Sequence, residues 1–174
     1  MKYLIYRLRQ AFSLISDEQL VLSTAFGYQL NPNLHITTDF QKCDELTVAA
    51  AKATSVVNKV GLMEKAVELY QGKLLSSAEG EHWLVHTANR YHFAYMSTAN
   101  ELLKQLMTIH AYDLIHQYAA LALTIAPENT KAYYWLIQSY LKQNMEKMAT
   151  GELVAARQKL PDEEYQKLLQ ELKK

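Results

Sequence analysis

The stretch Ile115–Pro127, IHQYAALALTIAP, returns in outline as Ala149–Pro161, ATGELVAARQKLP. Pro127 and Pro161 stand 34 positions apart, and so do Ala122 and Ala156, Ala119 and Leu153, and Ile115 and Ala149. A spacing of 34 is the length of one helix–turn–helix unit in helical repeat proteins. Such a unit cannot bury its apolar face alone, so it stacks on neighbours. The alanines fall where paired helices approach most closely. The prolines stop the helices, since each lacks an N–H and clashes with the preceding turn.

Working outward, Thr130 to Gln143 carries Tyr133, Leu136, Ile137, Tyr140 and Leu141 at i, i+3, i+4, i+7 and i+8, the stripe of an amphipathic helix. Asn144 holds the turn position where glycine is usual, and asparagine tolerates the left-handed conformation. Met145 to Lys159 is the next helix, and Glu163 to Lys174 (Tyr165, Leu168, Leu169, Leu172) is a natural cap for the open end of a stack. Upstream, Tyr112 to Ala126 is helical. A long helix is expected from about Glu81 to Thr108, through Trp83, Phe93, Leu102, Leu103 and Leu106, preceded by a loop over Ser76–Gly80. Thr38 or Asp39 is a good N-cap for a helix through Phe40, Cys43, Leu46 and Val48 to about Val60. Gly61 is read as an interruption, followed by a helix over Leu62–Gln71 with Val67, Leu69 and Tyr70 inward, closed by Gly72.

The first part of the chain differs. Met1 to about Ser13 is an amphipathic helix with Leu4, Ile5, Leu8, Ala11 and Phe12 on one stripe, and Lys2, Tyr6, Arg9 and Ser13 opposite, with Arg7 beside them. Leu20–Thr24 and Tyr28–Leu30 make a hairpin around Ala25-Phe26-Gly27. Asn31-Pro32-Asn33 is a turn, and Leu34–Thr37 is a candidate further strand.

The 174 residues suit one domain, or one with an appendage, and the scarcity of Gly and Pro (5 and 3) favours helix. Eighteen basic residues balance eighteen acidic ones, so net charge points to no particular partner. Cys43 is the only cysteine; the chain makes no internal disulfide, which suits a reducing cytoplasm, and Cys43 reads as a small buried hydrophobe. No apolar run is long enough to span a membrane, and the N-terminus lacks signal-peptide character.

The residues Ala66–Leu75 (AVELYQGKLL), then Trp83 and Arg90 on a long helix, then ALTIAP, resemble in order the bacterial transcriptional activator domain. This is the helical module of SARP-type activators, where it follows a winged helix-turn-helix of the OmpR type. IYRLRQAF (Ile5–Phe12) resembles the recognition helix of such a winged domain, LVLSTAFGYQL (Leu20–Leu30) its wing hairpin with the Gly27-Tyr28 pair, and TTDFQKCDEL the junction. The resemblance implies a mainly α fold: a tetratricopeptide-like array over 38–174, preceded over 1–37 by the C-terminal half of a winged helix. It departs from the family in two ways. The chain begins inside the recognition helix, as a fragment of a longer regulator or a degenerate member would. Arg157-Gln158-Lys159-Leu160 stands where a leucine-glycine motif usually precedes the final proline.

Lys2, Tyr6, Arg7 and Arg9, with Thr24 and Tyr28 of the hairpin, are the candidate DNA contacts, since a helix in the major groove needs basic side chains toward phosphates and base edges. A solvated amphipathic face is the plainer reading. His82 and His86, with Glu79 and Glu81 near, have a spacing that can share a metal, but no further ligands appear at diagnostic spacing, so no metal is expected. No nucleophile motif, phosphate loop or dinucleotide glycines occur; neither catalysis nor a cofactor is expected. If Tyr133 packs inward, Tyr134 and Trp135 face a groove or a partner. The expected function is transcriptional regulation. DNA would be bound by the full protein, and a protein partner (polymerase, a second regulator chain or a sensor) would meet the helical module. A homodimer is a further option. The alternatives are a helical adaptor without DNA binding and a small-molecule sensor.

Overall fold

The computed structural model describes residues 2–74 and 82–173, with Trp83 by its backbone alone. The expected loop over Ser76–Gly80, Leu75, Glu79 and Glu81, and the Trp83 side chain lie outside the described residues. The described elements run α1 (Lys2–Phe12), β1 (Val21–Thr24), β2 (Gly27–Leu30), α2 (Asp39–Lys52), α3 (Val56–Leu69), α4 (His82–Thr108), α5 (Tyr112–Ile125), α6 (Thr130–Lys142), α7 (Glu146–Lys159) and α8 (Asp162–Leu172). The protein is mainly helical, with one antiparallel hairpin. The chain divides into two compact units, Met1–Thr38 and Asp39–Lys174.

In the first unit, Val21 pairs with Leu30 and Thr24 with Gly27, leaving Ala25-Phe26 as a two-residue turn. Gly27 has φ 138, a conformation that a Cβ disfavours. The Thr24 hydroxyl donates to Gly27 O at 3.2 Å and accepts from Phe26 N–H at 3.3 Å, tying the turn from inside. The expected strand over Leu34–Thr37 does not form: β1 and β2 make a two-stranded sheet, and the chain there is turn and irregular. Asn31 ends the hairpin instead, donating from Nδ2 to Gln19 O at 2.9 Å and accepting from Asn33 N–H at 3.0 Å.

In the second unit each helix packs on the next, from α2–α3 through α6–α7; in addition α4 packs on α6 and α6 on α8, so alternate helices form a row. Leu102, Leu103, Leu106, Ile115, Ala119 and Ala122 are buried in one cluster. Ile137, Ala149, Ala156, Leu160 and Leu168 form a second. Wholly burying one Leu or Ile side chain is worth about 1.5–3 kcal/mol.

The period of 34 extends into the backbone. Among the described residues, His110 and Asn144, 34 apart, are the positive-φ residues other than glycine, at 57 and 58 degrees. Ala111 N–H donates to Leu106 O at 3.0 Å, and its counterpart Met145 N–H donates to Tyr140 O at 2.9 Å. These are the bonds of a left-handed helix C-terminus, which satisfies carbonyls that the helix leaves unpaired. At the far ends of the same hairpins Ala126 N–H meets Ala122 O, and Leu160 N–H meets Ala156 O, each at 2.8 Å. Asn129 begins α6, its side chain accepting from Ala132 N–H at 3.1 Å.

Further expectations are corrected. The helix predicted from Thr38 to Val60 is broken at 53–55, and Gly61 lies inside α3 rather than between helices. Ser55 is extended (φ −92, ψ 132) and opens α3. Serine is a favoured residue at helix starts, although the Ser55 side chain makes no cap hydrogen bond here. Phe93, named with Leu102, Leu103 and Leu106 along the long helix, is exposed, whereas those three are buried. Leu4 and Leu8, placed on the apolar stripe of α1, are exposed too.

Candidate functional site

The inner surface of the row α4–α6–α8 holds a groove of about 420 Å³. Helical geometry builds its walls. On α4, Asn100, Glu101 and Lys104 fall at i, i+1 and i+4, and on α6, Lys131, Tyr134 and Trp135 fall at i, i+3 and i+4, so each set shares one helix face. The repeat aligns them: Asn100 and Tyr134 are 34 apart, as are Glu101 and Trp135. Glu171 of α8 reaches the same space.

Tyr134 and Trp135, the two aromatic residues singled out as partner contacts, both line this groove half-buried, with ring centroids 4.8 Å apart at 75°. Tyr133 turns the other way and is buried. Glu101 is engaged by Lys59 Nζ at 3.0 Å and Gln105 Nε2 at 2.8 Å. Burial raises its carboxyl, but these two hydrogen bonds and the charges of Lys59 and Lys104 outweigh that and hold it below the usual carboxylate value. Lys104 and Lys131 have no carboxylate within 4 Å among the described residues. The side-chain oxygen of Asn100 is buried without a hydrogen-bond partner.

A polar network joins α5 to α6. Ser139 Oγ lies 2.7 Å from Leu136 O and 3.0 Å from His116 Nε2, and the same ring nitrogen lies 3.3 Å from the Gln143 side-chain amide nitrogen. The imidazole stacks on Tyr140, centroids 4.4 Å apart. Burial lowers the pKa of His116, with Asp113 pulling the other way. On α3 and α4, Tyr70 OH lies 3.1 Å from His92 Nδ1, and Tyr70 stacks on Tyr95. Burial and the charge of Lys73 lower His92, against Glu128. Neither network was legible from spacing; 23 positions separate His116 from Ser139.

The candidate DNA contacts separate into two groups. Lys2, Tyr6 and Arg7 are exposed on α1. Arg9 is turned to the hairpin instead: Nε donates to Val21 O and a terminal nitrogen to Ser23 Oγ, both at 2.9 Å, and the guanidinium stands 6.0 Å from the Tyr28 ring centroid. Thr24 holds the hairpin turn by the two bonds given above. His82 and His86 are exposed on α4. The Cys43 thiol donates to Ala66 O at 3.3 Å and is raised by burial and then by Asp39 and Asp44, which suppresses the reactive thiolate.

From α2 onward the helices stack as successive pairs, each burying its apolar face on its neighbours. The model of the bacterial transcriptional activator domain matches residues 38–174, and the chain belongs to that family. No curated protein matches the chain.

Proposed function

We propose that the protein is a transcriptional regulator, or a piece of one. Its helical domain, 38–174, makes protein–protein contact through Tyr134 and Trp135, and its N-terminal segment, 1–37, serves as the recognition-type helix and wing of a partial winged helix. The observation that carries the reading is the family match over the helical unit, joined to a groove with two aromatic side chains on the face of its central helix. Regulation here is binding and positioning; no bond is made or broken. The partner is polymerase, a second regulator chain or a sensor. No helix among the described residues is long and apolar enough to cross a membrane, and a cytoplasmic site of action suits a regulator of transcription.

DNA contact falls to Lys2, Tyr6 and Arg7, with Tyr28 at the hairpin. Arg9 and Thr24 act by holding helix and hairpin in place, which orients the other side chains. A small-molecule sensor is the third reading; the partly open pocket beside Cys43, Tyr70 and Tyr95 has about 20 Å³, room for one water, so a larger ligand would have to use one of the wider open grooves.

The test is a salt titration of the full protein on duplex DNA. Each phosphate neutralised contributes about −0.9 to the slope of log K against log salt. Charge reversal at both Lys2 and Arg7 is expected to flatten the slope by about two such contributions and to weaken binding. Binding that ignores both salt and these reversals, while a protein partner is still retained, would favour the adaptor.

A further inference from the structure

The groove of the α4–α6–α8 row carries two lysines and two glutamates beside its aromatic pair. Lys104 and Lys131 bring two ammonium groups that no described carboxylate pairs. Trp135 adds an indole N–H, which only donates. Asn100 also lines the groove, and its side-chain oxygen is buried without a hydrogen-bond partner. Against these stand two acids. Glu101 is already engaged by Lys59 and Gln105, which leaves Glu171 as the one lining carboxylate without an ion pair among the described residues. With Lys59 set against Glu101, Lys104 and Lys131 outnumber Glu171 by one positive charge, beside two aromatic rings.

We infer that this groove takes an acidic peptide segment of a partner protein: a carboxylate between Lys104, Lys131 and the Asn100 amide, with an apolar side chain against Tyr134 and Trp135. The inference rests on the protein-contact reading above and names the chemistry of the partner. Charge complementarity selects the occupant. A basic segment would set further cations against the lysines. A second copy docking by this same face would set its own Lys104 and Lys131 against these lysines. A nucleic acid offers acceptors too, but its continuous phosphates would run against Glu171 and Glu101, whereas a peptide can place one carboxylate and then an apolar residue. Aromatic and cationic anchors at the centre of a lined pocket are where binding energy concentrates in protein interfaces.

The test follows the Trp135 indole N–H resonance of the whole chain, assigned with Trp135→Phe because the chain has two tryptophans. Four probes are titrated: a capped peptide of aspartates and phenylalanines in a glycine–serine background, its asparagine isostere, its lysine counterpart, and single-stranded DNA. The acidic peptide is expected to shift the resonance and to bind about tenfold more tightly than the isostere. Lys104→Glu with Lys131→Glu should abolish that preference; Lys52→Glu with Lys65→Glu, on α2 and α3, should not. Both lysines of the first pair are exposed, so folding is retained, and circular dichroism checks it. Equal binding of the asparagine or lysine peptide overturns the acidic assignment while leaving protein contact at this groove standing. Binding of DNA alone overturns it in favour of nucleic acid. If no probe moves the resonance, both this inference and the placing of the partner contact at Tyr134 and Trp135 fall.

Discussion

Asn144 occupies a conformation that costs an L-residue about 1 kcal/mol unless it is glycine or asparagine. Asn144→Ala is therefore expected to lower stability by about 1 kcal/mol, and Asn144→Gly to leave it unchanged or raise it by a few tenths; urea unfolding reads both. His110 holds the same conformation with a bulkier side chain, and its ring lies 3.1 Å from Tyr112 OH. The half-buried histidines His116 and His92 set a pH dependence. Burial lowers His116 and His92 in the folded chain, so the unfolded chain binds more protons below its ordinary imidazole value of about 6.5. Their stabilisation is complete above that value and is lost as the pH falls through the window beneath it. The raised carboxyls Glu64 and Glu152 act in the opposite sense, giving up stability as the pH rises from about 4.3. The melting temperature should thus fall between pH 7.5 and pH 5.5, and His116→Gln should flatten that dependence; a melting point constant across this range in the unmodified chain would contradict the burial argument.

At the scale of elements, α4 to α8 begin and end within a residue or two of where the sequence places them. There, period, cap and stop signal agree: Asn129 or a left-handed turn at one end, Pro127 or Pro161 at the other. The α2–α3 boundary was misread because glycine was given more weight than the Thr54-Ser55 pair. The structure gives Gly61 no steric task, since a Cβ built there meets no heavy atom within 4 Å. Glycine inside a helix costs about 0.5–1 kcal/mol relative to alanine. Gly61→Ala should therefore stabilise the protein by that amount, as thermal melting would show, whereas a true hinge would make it destabilising. The apolar residues of α1 were legible as a helix but not as a buried stripe, because Leu4 and Leu8 have no facing layer in this structure.

At the scale of the whole molecule, the groove was half legible. Tyr134 and Trp135 stood out because three consecutive aromatics cannot share one helix face. Asn100, Lys104 and Glu171 did not, because each alone is an ordinary polar residue, and only the packing of α4 and α8 on α6 brings them together. The DNA-facing candidates show the reverse. Spacing along α1 grouped Arg9 with Lys2 and Tyr6, yet the nearness of the hairpin carbonyl at Val21 drew it into a structural bond that periodicity does not encode.

The matching turns at His110 and Asn144 make the array modular. A segment cut at one turn and pasted in at the other would splice in register, carrying its alanines, its proline stop and its left-handed corner with it. Duplicating 111–144 between Asn144 and Met145 should yield a longer rod that still melts cooperatively, with helical ellipticity rising in proportion to the added length.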